Sequence, residues 1–151
     1  MANWYVRMSG AKRVFTTDEA EELLPAVDML LQRLVDTSVK QKLLEEQANE
    51  ILDEVLEEGT HPNAIDELKG IKENLDINVR EIDRIEGEIM SMGLNVKDSV
   101  LGIVDFPAIR GDEPVYLCHR LGERKMTHWH NVEDGFEGRI PLDKEPDIIT
   151  I

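Results

Sequence analysis

Two heptad patterns run along the chain in opposite senses and match layer for layer. The first puts Ala20, Leu23, Val27, Leu30, Leu34, Thr37, Gln41, Leu44, Ala48, Ile51 and Val55 on one stripe; the second does so with Ala64, Leu68, Ile71, Leu75, Asn78, Ile82, Ile85, Ile89 and Met92. Alternating steps of three and four mark a left-handed coiled-coil seam. A reversal near Gly59 to Pro62 then sets Ile51 against Leu68, Ala48 against Ile71, Leu44 against Leu75 and Gln41 against Asn78. The two amides therefore meet, which satisfies part of their hydrogen-bonding need and fixes the register, because a slip by one heptad buries both alone.

The ends of these helices are also written in the sequence. Thr16 with Glu19 has capping-box spacing, and Asp18, Glu19, Glu21 and Glu22 sit where the helix dipole favours anions. Pro25 faces outward in the heptad frame and predicts a kink or a short separate first turn. The first helix is expected to continue to about Glu57, with Gly59 ending it; the second is expected from Pro62 to about Ser91, stopped by Gly93. Beyond that point the period shortens to an alternation. Turn signals at Gly111-Asp112 and Gly122-Glu123 predict an antiparallel meander with strands over 102–109, 115–121 and 126–132. Pro107 marks the first of these as an edge or bulged strand. Residues 134–141 read as loop, and 147–151 as a short edge strand. The expected fold is α+β and mostly α, a single domain over 1–151. It comprises an N-terminal arm (1–12), a long antiparallel helical hairpin (16–92), a small β-meander with its loop (100–142) and a tail (143–151).

The apolar face of the hairpin is wider than two helices bury. Leu24, Leu31, Val35, Leu52, Leu56, Ile65, Ile77 and Val79 lie off the strict seam. The meander covers those near the base, whereas Leu52, Leu56, Ile65 and Val79 lie towards the tip. A second hairpin buries them as a twofold four-helix bundle, so the chain is expected to be a homodimer.

Composition narrows the partners. Lys and Arg number 17 against 32 Asp and Glu, a formal net charge of −15, which leaves no electrostatic footprint for nucleic acid. One cysteine, Cys118, excludes an intrachain disulfide framework. No signal-peptide layout and no apolar run long enough for a bilayer are read, so the expected location is the cytoplasm without membrane attachment, a protein partner remaining open. The acidic run Glu45, Glu46, Glu50, Asp53, Glu54, Glu57 and Glu58 reads as a solvated face. Its metal-like spacing with His61 points outward instead of into a bundle.

The side chains suited to chemistry concentrate between Gly102 and Arg139. Two registers are open for the hairpin of the second and third predicted strands. An even one puts Tyr116, Cys118 and Arg120 on a face with Met126, His128 and His130; an odd one puts His119 beside His128 and His130. Imidazole and thiolate suit zinc, which makes Cys118, His119, His128 and His130 candidate ligands, yet their spacing matches no standard zinc motif, and no metal or other cofactor is expected. The alternative is half-buried histidines hydrogen-bonded to Asp105, Glu123 or Glu133. His130 beside Asp105 or Glu123 makes an oriented imidazole, and Arg120 with Arg139 a small anion clamp; the same residues also suit a closed salt-bridge network pinning the meander to the helices. The candidate binding residues are thus Asp105, Arg120, Glu123, His128, His130 and Arg139. Cys118, inside an alternating strand, reads as a small buried hydrophobe.

Several segments together resemble a known family. They are Val14-Phe15-Thr16, Glu19-Ala20, Leu23-Leu24-Pro25, Val104-Asp105-Phe106-Pro107-Ala108, Val115-Tyr116-Leu117-Cys118, Arg120-Leu121-Gly122-Glu123, Trp129-His130 and Gly135-Phe136-Glu137-Gly138-Arg139. In combination they are similar to the small prokaryotic family called domain of unknown function 2203, over nearly the whole chain after the arm. The resemblance implies no activity. It implies that Asp105, Arg120, Glu123, His130, Gly138 and Arg139 belong to the motif defining the group, and that His119 stands where the family often has an aromatic residue. The expected function is that of a non-enzymatic, dimeric coiled-coil interaction or scaffold protein. The alternative is a small-anion or metal-binding protein, enzymatic or not, with a His/Arg/acid site on the meander.

Overall fold

The computed structural model describes residues 13–59 and 61–142; the predicted arm and tail lie outside them. Helix α1 (Thr17–Glu58) opens with the predicted capping box: Glu19 N–H donates to Thr16 Oγ1 at 3.1 Å, and Thr16 N–H donates to Glu19 Oε1 at 3.0 Å. The helix passes through Pro25 as one element, so no separate first turn forms. Pro25 is exposed. At the far end Gly59 takes the left-handed conformation (φ 75°) and donates to the Val55 carbonyl, which stops α1. Helix α2 (Ala64–Ser91) starts two residues after the predicted Pro62, because Asn63 occupies the left-handed region at φ 60° and breaks the turn.

At the hairpin tip the connection is tied to both helices. His61 Nδ1 contacts Glu54 on α1, and His61 Nε2 lies 3.0 Å from Glu67 on α2. With a carboxylate at each nitrogen, the imidazole is held charged and its pKa is raised, first by the Glu54 hydrogen bond and then by Glu67.

Five strands follow in the order β1-β2-β3-β4-β5, all antiparallel: β1 (Asn95–Asp98), β2 (Ile103–Arg110), β3 (Glu113–Arg120), β4 (His128–Asn131) and β5 (Ile140–Pro141). The three predicted strands are present with shifted ends. Strands β1 and β5 were not anticipated, being only four and two residues long. The segment read as loop after residue 134 also holds a short 3₁₀ turn, Phe136–Gly138. Pro107 sits in an interior strand, yet the β1 ladder ends at Asp105, so the missing N–H faces a locally open edge. There the Pro107 carbonyl accepts from Phe15 N–H at 2.8 Å, docking the residue before the α1 cap onto the sheet.

One face of the sheet packs on the hairpin base. Val104, Phe106, Ala108, Val115, Leu117 and Trp129 join Phe15, Leu24, Val27, Leu31, Leu34, Ile85 and Ile89 in a single core. Gly102 permits the closest approach. At φ 71°, a Cβ there would stand 2.9 Å from Leu121 Cβ and 3.0 Å from Val35 Cγ2. Farther out, the only buried apolar residue of α1 is Ile51. Gln41 Oε1 and Asn78 Nδ2, the acceptor and donor that would complete the predicted amide pair, are buried without a partner among the described residues, as is Ser38 Oγ. No helix among the described residues is long and apolar enough to cross a membrane.

Two outcomes follow. Replacing Gln41 and Asn78 together by Leu removes two unsatisfied amides and is expected to raise the unfolding free energy by about 1–3 kcal/mol in urea titrations, while loosening register. The His61 clasp has the opposite dependence on pH from a carboxylate ion pair. Because its folded pKa lies above the ordinary 6.5, its contribution is complete below that value and is lost as pH rises through the raised one. The urea midpoint of His61→Gln should therefore fall below that of the parent near neutral pH and converge with it in alkali.

Candidate functional site

The strand registers decide which residues meet. Asp105 on β2 pairs with Cys118 on β3, Cys118 with His128 on β4, and Tyr116 with His130. This is the even register. Since side chains alternate across a sheet, Asp105, Cys118, Tyr116, His128 and His130 share the face away from the hairpin. His119 points to the other face, between sheet and helix. Strand β2 is buried along both faces through Ile109.

Asp105, Cys118 and His130 make the tightest group, each almost wholly buried (0, 1 and 1% exposed). His130 Nε2 lies 2.9 Å from Asp105 Oδ1, and His130 Nδ1 lies 2.8 Å from the Asn131 carbonyl oxygen. A carbonyl only accepts, and an ionised carboxylate only accepts, so both ring nitrogens carry protons and His130 is an imidazolium. Burial by itself pushes its pKa down. The Asp105 carboxylate, the Cys118 sulfur and the Asn131 carbonyl outweigh that and raise it to about 10. Asp105 Oδ2 accepts no hydrogen bond among the described residues, and Lys97 Nζ stands 3.8 Å away. Lys97 is the extra residue of a β1 bulge, between the pairs Val96 with Val104 and Asp98 with Ile103. The bulge re-aims its side chain over the Tyr116 ring, 5.5 Å from the centroid.

A second network joins the sheet to α1. His119 Nε2 lies 2.7 Å from Asp28 Oδ1 on α1, and His119 Nδ1 lies 4.0 Å from Glu123 Oε1. Arg139 Nη2 donates to both Glu123 oxygens, at 3.0 and 2.9 Å, and to the Cys118 carbonyl at 3.3 Å. Arg120 N–H also donates to Glu123 Oε1. Burial would raise the Glu123 carboxyl, but the Arg120 amide and the Arg139 guanidinium overcome it and hold the pKa low. Arg120 and Arg139 both approach the Phe136 ring, at 5.9 and 4.4 Å, so the two predicted clamp residues are neighbours. Arg139, however, spends its charge on Glu123. His128 Nδ1 lies 2.8 Å from Thr127 Oγ1 and is not among the three converging donors.

Five of the six sequence-predicted residues thus fall into two groups, while His128 contacts Thr127. Asp105 and His130 join Cys118 on one face, whereas Glu123, Arg139 and the Arg120 backbone form the other network with His119. Asp28 and Lys97 were missed. Asp28 had a signal, an acid adjoining the seam residue Val27; Lys97 had none, because the connection after α2 did not read as a strand. Removing one member of the buried pair strands the other. Asp105→Ala is expected to cost about 3–5 kcal/mol in chemical denaturation, and adding His130→Leu to recover most of it.

The family model described as an uncharacterized conserved protein (DUF2203) matches residues 13–142. No curated protein and no solved structure matches the chain. The matched span runs from the residues docking on Pro107 to the end of β5 and takes in the hairpin and both polar networks. The chain accordingly belongs to the DUF2203 family of uncharacterized conserved proteins.

Proposed function

We propose that this protein is a non-enzymatic interaction protein that assembles as a homodimer through its helical hairpin, with the small sheet carrying the surface offered to partners. The observation behind this reading is the uncovered apolar flank at the hairpin tip. In the heptad frame Leu24, Leu31, Ser38, Glu45 and Leu52 occupy one flanking stripe of α1; Ile65, Lys72 and Val79 occupy the facing stripe of α2. In an antiparallel pair these stripes lie on the same side. Leu24, Leu31 and Ser38 are buried, but the sheet does not extend to the tip, where Leu52 is 46%, Ile65 71% and Val79 44% exposed. Leu56, at 81% exposed, adjoins them.

A monomer gains nothing from exposing large aliphatic side chains on a stripe that is buried one turn after another nearer the base. A second hairpin laid antiparallel on this flank extends the helical core over the tip, the geometry of a four-helix bundle. Glu45 on the α1 stripe and Lys72 on the α2 stripe carry opposite charges on the same flank, so a twofold arrangement opposes unlike charges. Light scattering on the purified chain is expected to give the mass of two chains of 17.2 kDa. Leu56→Asp with Ile65→Asp should give a monomer of unchanged helix content. A monomeric parent at micromolar concentration overturns the reading.

A further inference from the structure

We infer that Asp105, Cys118 and His130 form a binding site for one divalent transition-metal ion of borderline softness, with zinc the ion that this donor set fits best. The inference does not depend on the assembly of the hairpin. One ligand atom from each of the three residues lies within 4.8 Å of the other two, and all three residues are buried. A carboxylate oxygen, a thiolate sulfur and an imidazole nitrogen are the three donor types of zinc centres, and thiolate disfavours magnesium and calcium.

The surrounding contacts already have the form of a metal site's outer layer. A ligating histidine normally gives its second ring N–H to a carbonyl or carboxylate, which fixes the tautomer and aims the other nitrogen. His130 Nδ1 holds the Asn131 carbonyl at 2.8 Å, leaving Nε2 turned to Asp105 and Cys118. The ligands come from three adjacent strands, β2, β3 and β4, so hydrogen-bonded ladders hold their spacing. Asp105 Oδ2, fully buried and without a hydrogen bond among the described residues, is not used by the pair with His130 and faces Lys97 at 3.8 Å. An Asp-His pair needs neither that oxygen nor a thiol at the same point.

The distances require donor movements of no more than about 1.5 Å. Bonds of about 2.0–2.3 Å to zinc place neighbouring ligand atoms roughly 3.3–3.8 Å apart, so the 2.9 Å contact between Asp105 and His130 opens slightly as the ion enters. The proton on His130 Nε2 and the thiol proton of Cys118 leave as one divalent ion arrives. Two positive charges replace two, and the buried site keeps its net charge, avoiding the cost of adding charge to a desolvated place. Three protein donors leave the ion one open position, as in zinc sites that hold water or substrate. Lys97, half-exposed and 3.8 Å from Asp105 Oδ2, is the nearby cation that opposes the ion.

The test uses the full, untagged chain, stripped with chelator and titrated with cobalt(II). Because the chain has one cysteine, a thiolate-to-cobalt charge-transfer band reports Cys118 even without a variant. The expected result is a band that saturates at one equivalent, is displaced by zinc and is absent from Cys118→Ser. Lys97→Ala, which leaves all three donors in place, should bind about tenfold more tightly at low salt. A folded parent chain that gives no thiolate band overturns the inference, as does cobalt absorption that persists unchanged in folded Cys118→Ser.

Discussion

A mismatch of length shapes this molecule. Helix α1 has 42 residues and β2 and β3 have eight each, so at about 1.5 Å per helical residue and 3.3 Å per strand residue the hairpin is more than twice as long as the sheet. The sheet therefore buries only the base. Phe15, Leu31, Leu34, Ile85, Ile89, Phe106 and Leu117 close a core there with essentially no exposed surface, whereas the outer half has only its own seam. That difference explains why one flanking stripe of α1 is core at Leu24 and Leu31 and solvent-facing at Leu52.

The same core imposes its cost on the sheet's polar residues. Packing one face on the hairpin fixes the parity of every strand, so three successive residues of β3 meet three environments: Cys118 beside Asp105 and His130, His119 against Asp28, and Arg120 in solvent with its amide on Glu123. Desolvation disfavours each charge, and each is offset locally. His130 is held by a carboxylate and a carbonyl, Glu123 by a guanidinium and an amide. The two networks touch through the Cys118 carbonyl, which accepts from Arg139, and a disturbance of one strand accordingly reaches both.

The hairpin was legible because its signals are local. Thr16 with Glu19, Gly59 after the last turn and two long heptads each act within a few residues, where steric and hydrogen-bonding rules hold whatever surrounds them. The polar centre of the seam was legible in position only. Asn78 is buried and Gln41 half-buried near one layer, but whether two amides bond depends on rotamers and helix rotation, which the heptad leaves open. At Pro25 the separate first turn does not form, since one lost backbone donor on a solvent-facing side of a long helix does not suffice to divide it.

By itself, then, the sequence determined the helical pair, its ends, the antiparallel character of the sheet, and the residues rich in chemistry. These follow from period, caps and turn residues. Tertiary structure alone decided how that chemistry is grouped. The two registers of β3 on β4 differ by one residue, and period-two alternation makes them equally good locally. Only the packing of Leu117 and Trp129 onto the hairpin selects one, and with it places Cys118, not His119, beside His130. Asp28 and Lys97 entered in the same way, through a helix crossing and a bulge, because proximity between residues far apart in the chain is a property of packing and not of spacing.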